Sequence, residues 1–205
     1  MVLDSLLARQ NGRYTEDDAR NVMRQVLEAL EYLHARNVAH RDLKLENILL
    51  VRKNDLSHIK LVDFGLSKHT TGQMSSVLGT PQFVSPEMLS RHVKTYGKYV
   101  DMWSAGVLLY IFLSGFPPFT DTNESVLFKK ILAGNYSFGD PLWNSVSKSG
   151  KDLISKLLVK DTSARYSASQ ALAHEWFTSH DPAIRGELCE TRSNLLRLKR
   201  AKVCV

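Results

Sequence analysis

The sequence predicts a mainly α-helical domain that carries one small β-hairpin. Three observations point there. An amphipathic helical pattern occupies residues 16–35, two short β-rich runs follow it, and every strongly periodic segment beyond them has helical spacing. Thr15-Glu16-Asp17-Asp18 reads as the helix start. Thr15 can accept a bond from an N-terminal amide, and the acids suit the positive end of the helix dipole. Val22, Val26, Leu30 and Leu33 then recur on one face, flanked by Arg20, Arg24, Glu28 and Glu31. Residues 48–51 and 59–62 are the β-rich runs, and the polar link 52–58 contains Asn54-Asp55, which predicts a hairpin. Residues 70–76, rich in Thr, Ser and Gly, read as a mobile loop. Residues 101–114 are apolar on most sides, so this helix belongs in the middle of a core. Gly115-Phe116-Pro117-Pro118 ends it, and helical patterns return at 124–133, 151–158 and 167–174.

Composition narrows the function classes. The 205 residues are 43% hydrophobic and 23% charged, which is ordinary globular usage and excludes disorder and low-complexity polymers. The longest uncharged apolar stretch, 102–119, is broken by Ser, Gly and Pro, short of the ~20 apolar residues that span a bilayer. No secretory signal follows Met1, and only Cys189 and Cys204 occur, so an intracellular, cytoplasmic location fits, with the nucleus left open. The net charge is +6, and most of it lies in residues 185–205, where six basic residues meet two acidic ones. A body near neutrality does not point to nucleic acid.

Two polar strings carry chemistry. His40-Arg41-Asp42-Leu43-Lys44-Leu45-Glu46-Asn47 lies between the helix and the hairpin. There Asp42 can orient a hydroxyl and take its proton, Lys44 can neutralise a transferring phosphoryl group, and Asn47 offers a neutral oxygen to a hard cation. Asp63-Phe64-Gly65 follows the second β-run, where a carboxylate can hold Mg²⁺. Any one of these residues alone reads as a solvated loop side chain. The ordered pair of strings, across one hairpin, matches the protein-kinase signature set.

The sequence resembles the C-terminal lobe of a eukaryotic protein kinase. Ser85-Pro86-Glu87 stands where that family has Ala-Pro-Glu, Asp101-Met102-Trp103-Ser104 opens its central buried helix, and Arg165 lies where the family pairs an Arg with the Pro-Glu carboxylate. His174-Glu175-Trp176-Phe177 matches its domain-ending motif. Lys44 and Thr80 mark the Ser/Thr type, and Gly115-Phe116-Pro117-Pro118-Phe119 resembles the calcium/calmodulin-dependent kinase group. The resemblance implies a protein-kinase-like fold, C-terminal lobe only, over residues 1–178, with a basic tail over 179–205.

It also implies roles. Asp42 is the catalytic base, Lys44 contacts the γ-phosphate, and Asn47 and Asp63 hold Mg²⁺ for ATP. Leu49 lies beneath the adenine, Thr80 braces Asp42, and Asp101 anchors the catalytic loop's backbone. Phe64 and His40 stack in the spine that couples the lobes. Glu46 faces a basic residue upstream of the target Ser or Thr of a protein substrate. Arg41 and Lys68 form a positive pocket for a phosphate on the loop, with Ser76 the favoured site. The tail interleaves Leu195, Leu196, Leu198 and Val203 with Arg197, Lys199, Arg200 and Lys202, a calmodulin-target-like pattern.

The family's Gly-rich phosphate loop, strand Lys and helix Glu have no counterpart in the sequence. Since the Lys–Glu pair and the Asp–Mg²⁺ contact are both needed, little phosphotransfer is expected of the 205-residue chain alone. A noncatalytic kinase-like binding module is the alternative reading.

Overall fold

Helix α1 (Glu16–Ala35) begins at a reciprocal cap, in which the Thr15 side chain accepts from the Asp18 amide and the Asp18 carboxylate accepts from the Thr15 amide. The computed structural model in which it is seen describes residues 14–53, 55–70, 80–90, 96–178, 180 and 182–203. The loop reading of 70–76 lies outside these residues beyond Thr70, as does Ser76. The apolar stripe of α1 (Ala19, Val22, Met23, Val26, Leu27, Leu30) is buried. Glu16 is buried with it, and it is fully satisfied. Its carboxylate accepts from the Ser147 amide at 2.9 Å, the Ser147 hydroxyl at 2.5 Å and the Trp176 indole at 2.6 Å. Just before the helix, the Tyr14 hydroxyl donates to the Phe112 carbonyl at 2.7 Å. Burial, then the charges of Asp18 and Glu16, hold its phenol protonated well above its ordinary range.

Two nested antiparallel ladders position the polar strings. Strands β2 (Ile48–Arg52) and β3 (Asp55–Leu61) form the predicted hairpin, in register Ile48↔Leu61 and Leu50↔Ile59. Strand β3 starts at Asp55, so most of the predicted link 52–58 is strand. The cause is Gln25 on α1, whose amide oxygen accepts from the Ile59 N–H at 2.9 Å and whose amide nitrogen donates to the Leu56 carbonyl at 2.8 Å. A second ladder, unpredicted, joins β1 (Val38–Ala39) to β4 (Lys68–His69). Residues 40–47 and 62–67 therefore lie side by side, each tied at both ends.

After the four-residue helix α2 (Pro86–Leu89), α3 (Tyr99–Ser114) runs through the core with every residue from Val100 to Ser114 buried. This is the all-round apolar helix that the sequence predicts. Gly115 ends it in the left-handed region, φ 84°. There a Cβ would come within 2.7 Å of the Thr191 carbonyl oxygen and 2.9 Å of the Leu195 amide nitrogen. Helix α4 (Glu124–Ala133) has its predicted bounds. Helix α5 (Lys148–Leu157) starts earlier than predicted, because the Ser147 hydroxyl caps the Gly150 amide. Helix α6 (Ala168–Leu172) is shorter than predicted. Ser167 is its cap, and His174 caps the next turn by accepting from the Trp176 amide.

The tail forms α7 (Cys189–Val203), and its first half is part of the body. The Leu188 amide donates to the Tyr14 carbonyl at 2.8 Å, and Leu188 and Leu195 join the main core. Thr191 and Asn194 donate to the carbonyls of Leu113 and Ser114, which the end of α3 leaves without a partner inside the helix. Ser193, Arg197 and Arg200 face solvent. Among the described residues no helix is long and apolar enough to cross a membrane.

Candidate active site

The site is built on a loop that turns through a strained residue. Arg41 sits at φ 69°, in the left-handed region that few non-glycine residues adopt. Asp101, fully buried at the start of α3, holds that turn. Its two oxygens accept from the amides of His40 at 2.9 Å and Arg41 at 2.8 Å. His34 on α1 adds a third contact, its Nε2 lying 2.8 Å from Asp101 Oδ2. The neighbouring turn is tied in through His40. Its Nε2 bonds the Val62 carbonyl at 3.1 Å, and its ring meets the Phe64 ring at 4.8 Å between centroids.

The result is one carboxylate held from three sides. Asp42 is 6% exposed. Its Oδ2 lies 2.7 Å from Lys44 Nζ and accepts from Asn47 Nδ2 at 3.1 Å, while Thr80 Oγ1 donates to Oδ1 at 3.4 Å. Asn47 Nδ2 also donates to the Asp42 carbonyl at 2.8 Å. Both Asn47 amide hydrogens are thus turned toward Asp42, and the side-chain oxygen is not used in these bonds. The Asn47 carbonyl accepts from Val62 at 3.0 Å, which brings the exposed Asp63, itself at φ 64°, beside Asn47. Asn47 and Asp63 are an all-oxygen donor pair, and that chemistry fits Mg²⁺. Leu49, 37% exposed, stands on β2 opposite Lys60, two residues after Asn47. Glu46, half-buried, belongs to the short turn Leu45–Asn47.

The two residues read as a positive pocket lie on different elements. Lys68 is exposed on β4, opposite Ala39. Arg41 is turned inward, its Nε donating to the Leu66 carbonyl at 2.6 Å and its Nη1 to the Tyr96 hydroxyl at 3.2 Å. The sequence reading missed Tyr96 and His34. His34 follows Leu27 and Leu30 at helical spacing, so its place on the buried face of α1 was legible. Tyr96 carries no local signal, because its partner lies 55 residues away.

Behind the site, Glu87 and Arg165 form a buried bidentate pair, with Nη1–Oε1 at 2.6 Å and Nη2–Oε2 at 2.9 Å. Ser85, just ahead of it, is fully buried, and its hydroxyl finds no hydrogen-bond partner among the described residues. Ser85→Ala is therefore expected to raise stability by about 1 kcal/mol, since it removes an unmet polar group. Urea denaturation reads this directly, and a lower midpoint would show that the hydroxyl is satisfied.

Three comparisons bear on this geometry. A family profile described as Protein kinase domain matches residues 2–177. Calcium/calmodulin-dependent protein kinase type 1 of Macrobrachium nipponense is 47% identical over 172 residues, covering 83% of this chain and 49% of that protein. The human type 1B protein of that name is 44% identical over 193 residues, covering 92% of this chain and 56% of its own length. The chain thus spans about half the length of these curated relatives. Among solved structures, the twitchin kinase region of C. elegans superposes with a TM-score of 0.88 at 33% identity, covering 98% of this chain and 35% of that one.

Proposed function

The chain belongs to the protein kinase family, and we propose that it serves transfer of the ATP γ-phosphoryl group to serine or threonine hydroxyls of protein substrates. The observation that carries this reading is the Asp42 carboxylate, gripped by Lys44, Asn47 and Thr80 at the mouth of a rigid loop. A substrate hydroxyl set against Asp42 attacks the γ-phosphorus. Its proton passes to a carboxylate oxygen, the new O–P bond forms, and the bond to the β-phosphate bridging oxygen breaks, releasing ADP. Lys44 offsets the charge on the moving phosphoryl group. Thr80 keeps Asp42 and the hydroxyl in register. Asn47 and Asp63 are the residues that would hold Mg²⁺, which supplies charge neutralisation at the phosphates when bound. Leu49 gives the adenine an apolar floor.

Selectivity and control follow from the same loop. Glu46 suits a guanidinium upstream of the target residue, so substrates with a preceding Arg fit best. Arg41 and Lys68 would receive a phosphate placed on the loop at Ser76. We read 1–178 as the kinase lobe and 179–205 as a tail with a regulatory role. The tail's exposed Arg197 and Arg200 suit calmodulin, but Leu195 is engaged in the core, so calmodulin must first lift α7. Titration of the chain with calmodulin is then expected to show calcium-dependent binding accompanied by loss of helix–body contacts. Binding without calcium, or none, would remove this part of the reading.

The function itself is tested by incubating the chain with Mg²⁺ and radiolabelled ATP and an Arg-containing Ser/Thr peptide. Incorporation is expected to be slow and to stop with chelator. A folded chain that binds no nucleotide and transfers nothing would favour a noncatalytic module instead.

A further inference from the structure

The described residues contain a second, small core apart from the main one: Ala39, Val84, Met88, Tyr96 and Val100. It lies where three segments meet. Ala39 is the last residue of β1, directly before the catalytic loop. Val84 and Met88 belong to the segment that begins at Thr80. Tyr96 leads into α3, and Val100 is in its first turn. The Tyr96 ring fixes this junction by packing, and it is 9% exposed. Its hydroxyl does something packing cannot, since it reaches Arg41 Nη1 at 3.2 Å.

A guanidinium is planar, so two bonds at different nitrogens set both its position and its plane. Leu66 supplies one bond at Nε and Tyr96 the other at Nη1. Arg41 thereby joins the catalytic loop to the turn that carries Asp63, and both ends of that bridge are neutral oxygens. We propose that Tyr96 is a positioning residue for the phosphotransfer site, holding the Arg41 guanidinium through its hydroxyl so that the Asp42 and Asp63 turns stay in register before any loop phosphate is added. This rests on the kinase reading above. The Asp42 carboxylate is one residue from Arg41, and a loop residue held at φ 69° keeps its geometry only while its surroundings over-determine it.

The test separates hydroxyl from ring. Tyr96→Phe keeps the ring in the small core, while Val100→Ala thins the same core and leaves the hydroxyl in place. The first readout is water exchange of the Arg41 Nε–H, followed by NMR on the isotope-labelled chain. Tyr96→Phe is expected to speed it about two- to tenfold, the change that loss of one net hydrogen bond gives, with little change in melting temperature. Val100→Ala is expected to lower the melting temperature and leave the exchange as in wild type. In the peptide assay Tyr96→Phe is expected to lower kcat by a similar factor, with KM for peptide unchanged. Wild-type exchange in Tyr96→Phe, or equal acceleration in Val100→Ala, overturns the proposal. A wild-type chain that binds no Mg²⁺–nucleotide counts against the kinase reading, while the exchange measurement still decides the role of Tyr96.

Discussion

Asp42→Asn is expected to lower phosphotransfer about 10²- to 10⁴-fold while the chain remains folded, the loss that removal of a positioned general base gives. The substitution is isosteric. Its amide oxygen can still meet Asn47 Nδ2 and Lys44 Nζ, and its amide nitrogen then faces Thr80, whose hydroxyl can turn to accept. What disappears is the basic lone pair that takes the substrate proton. Lys44 also loses its ion-pair partner, but its side chain is 22% exposed and can rehydrate, so the stability cost stays at about 1 kcal/mol. The measurement is kcat and KM for peptide, with melting temperature alongside. A tenfold rise in KM at unchanged kcat would show that Asp42 binds substrate without taking its proton.

Arg165→Ala is expected to destabilise the lobe by about 3–5 kcal/mol, the range found when one partner of a buried ion pair is removed. Arg165 is 1% exposed and makes more than the bidentate contact with Glu87. Its Nη1 donates to the Tyr99 carbonyl at 2.7 Å, its Nε to the Val159 carbonyl at 2.8 Å, and its guanidinium lies 5.2 Å from the Trp103 ring centroid. Truncation strands a buried carboxylate, two carbonyls and a cavity together. Against a typical total of roughly 5–15 kcal/mol, this is a large share. The double variant Glu87→Met with Arg165→Met is expected to be more stable than Arg165→Ala, because no charge is left unpaired. Urea midpoints of the variants measure the coupling, and a double variant less stable than Arg165→Ala would show that the pair's charge stabilises the lobe outright.

Where the chemistry is local, the sequence was readable. The cap at Thr15 is spelled within four residues, and the α3 core run announces itself by being apolar all round. The string from His40 to Asn47 closes on itself: the contacts of Asp42 with Lys44 and Asn47 span at most 5 residues. The misses are long-range or too short to carry a period. Strands β1 and β4 have two residues each, and alternation cannot show in two. Gln25 extends β3 from 34 residues away. Glu16 read only as a first-turn acid suited to the helix dipole, yet the groups that bury it, Ser147 and Trp176, lie 131 and 160 residues downstream. The tail's leucines suggested a surface for a partner, and only tertiary structure reveals that Leu195 already has one within the chain.

The contacts between α7 and the end of α3 have a consequence for synthesis on the ribosome. The Ser114 carbonyl receives its donor from Asn194, made 80 residues later. At about 5–20 residues per second, the central helix waits roughly 4–16 s with that end uncovered. Until then the surface around Gly115 is open to other chains, and Tyr14 lacks the Leu188 amide that closes the start of α1 onto the start of α7. The lobe therefore closes only after α7 has been made, and a chaperone that shields the face around Gly115 has a defined interval in which to act.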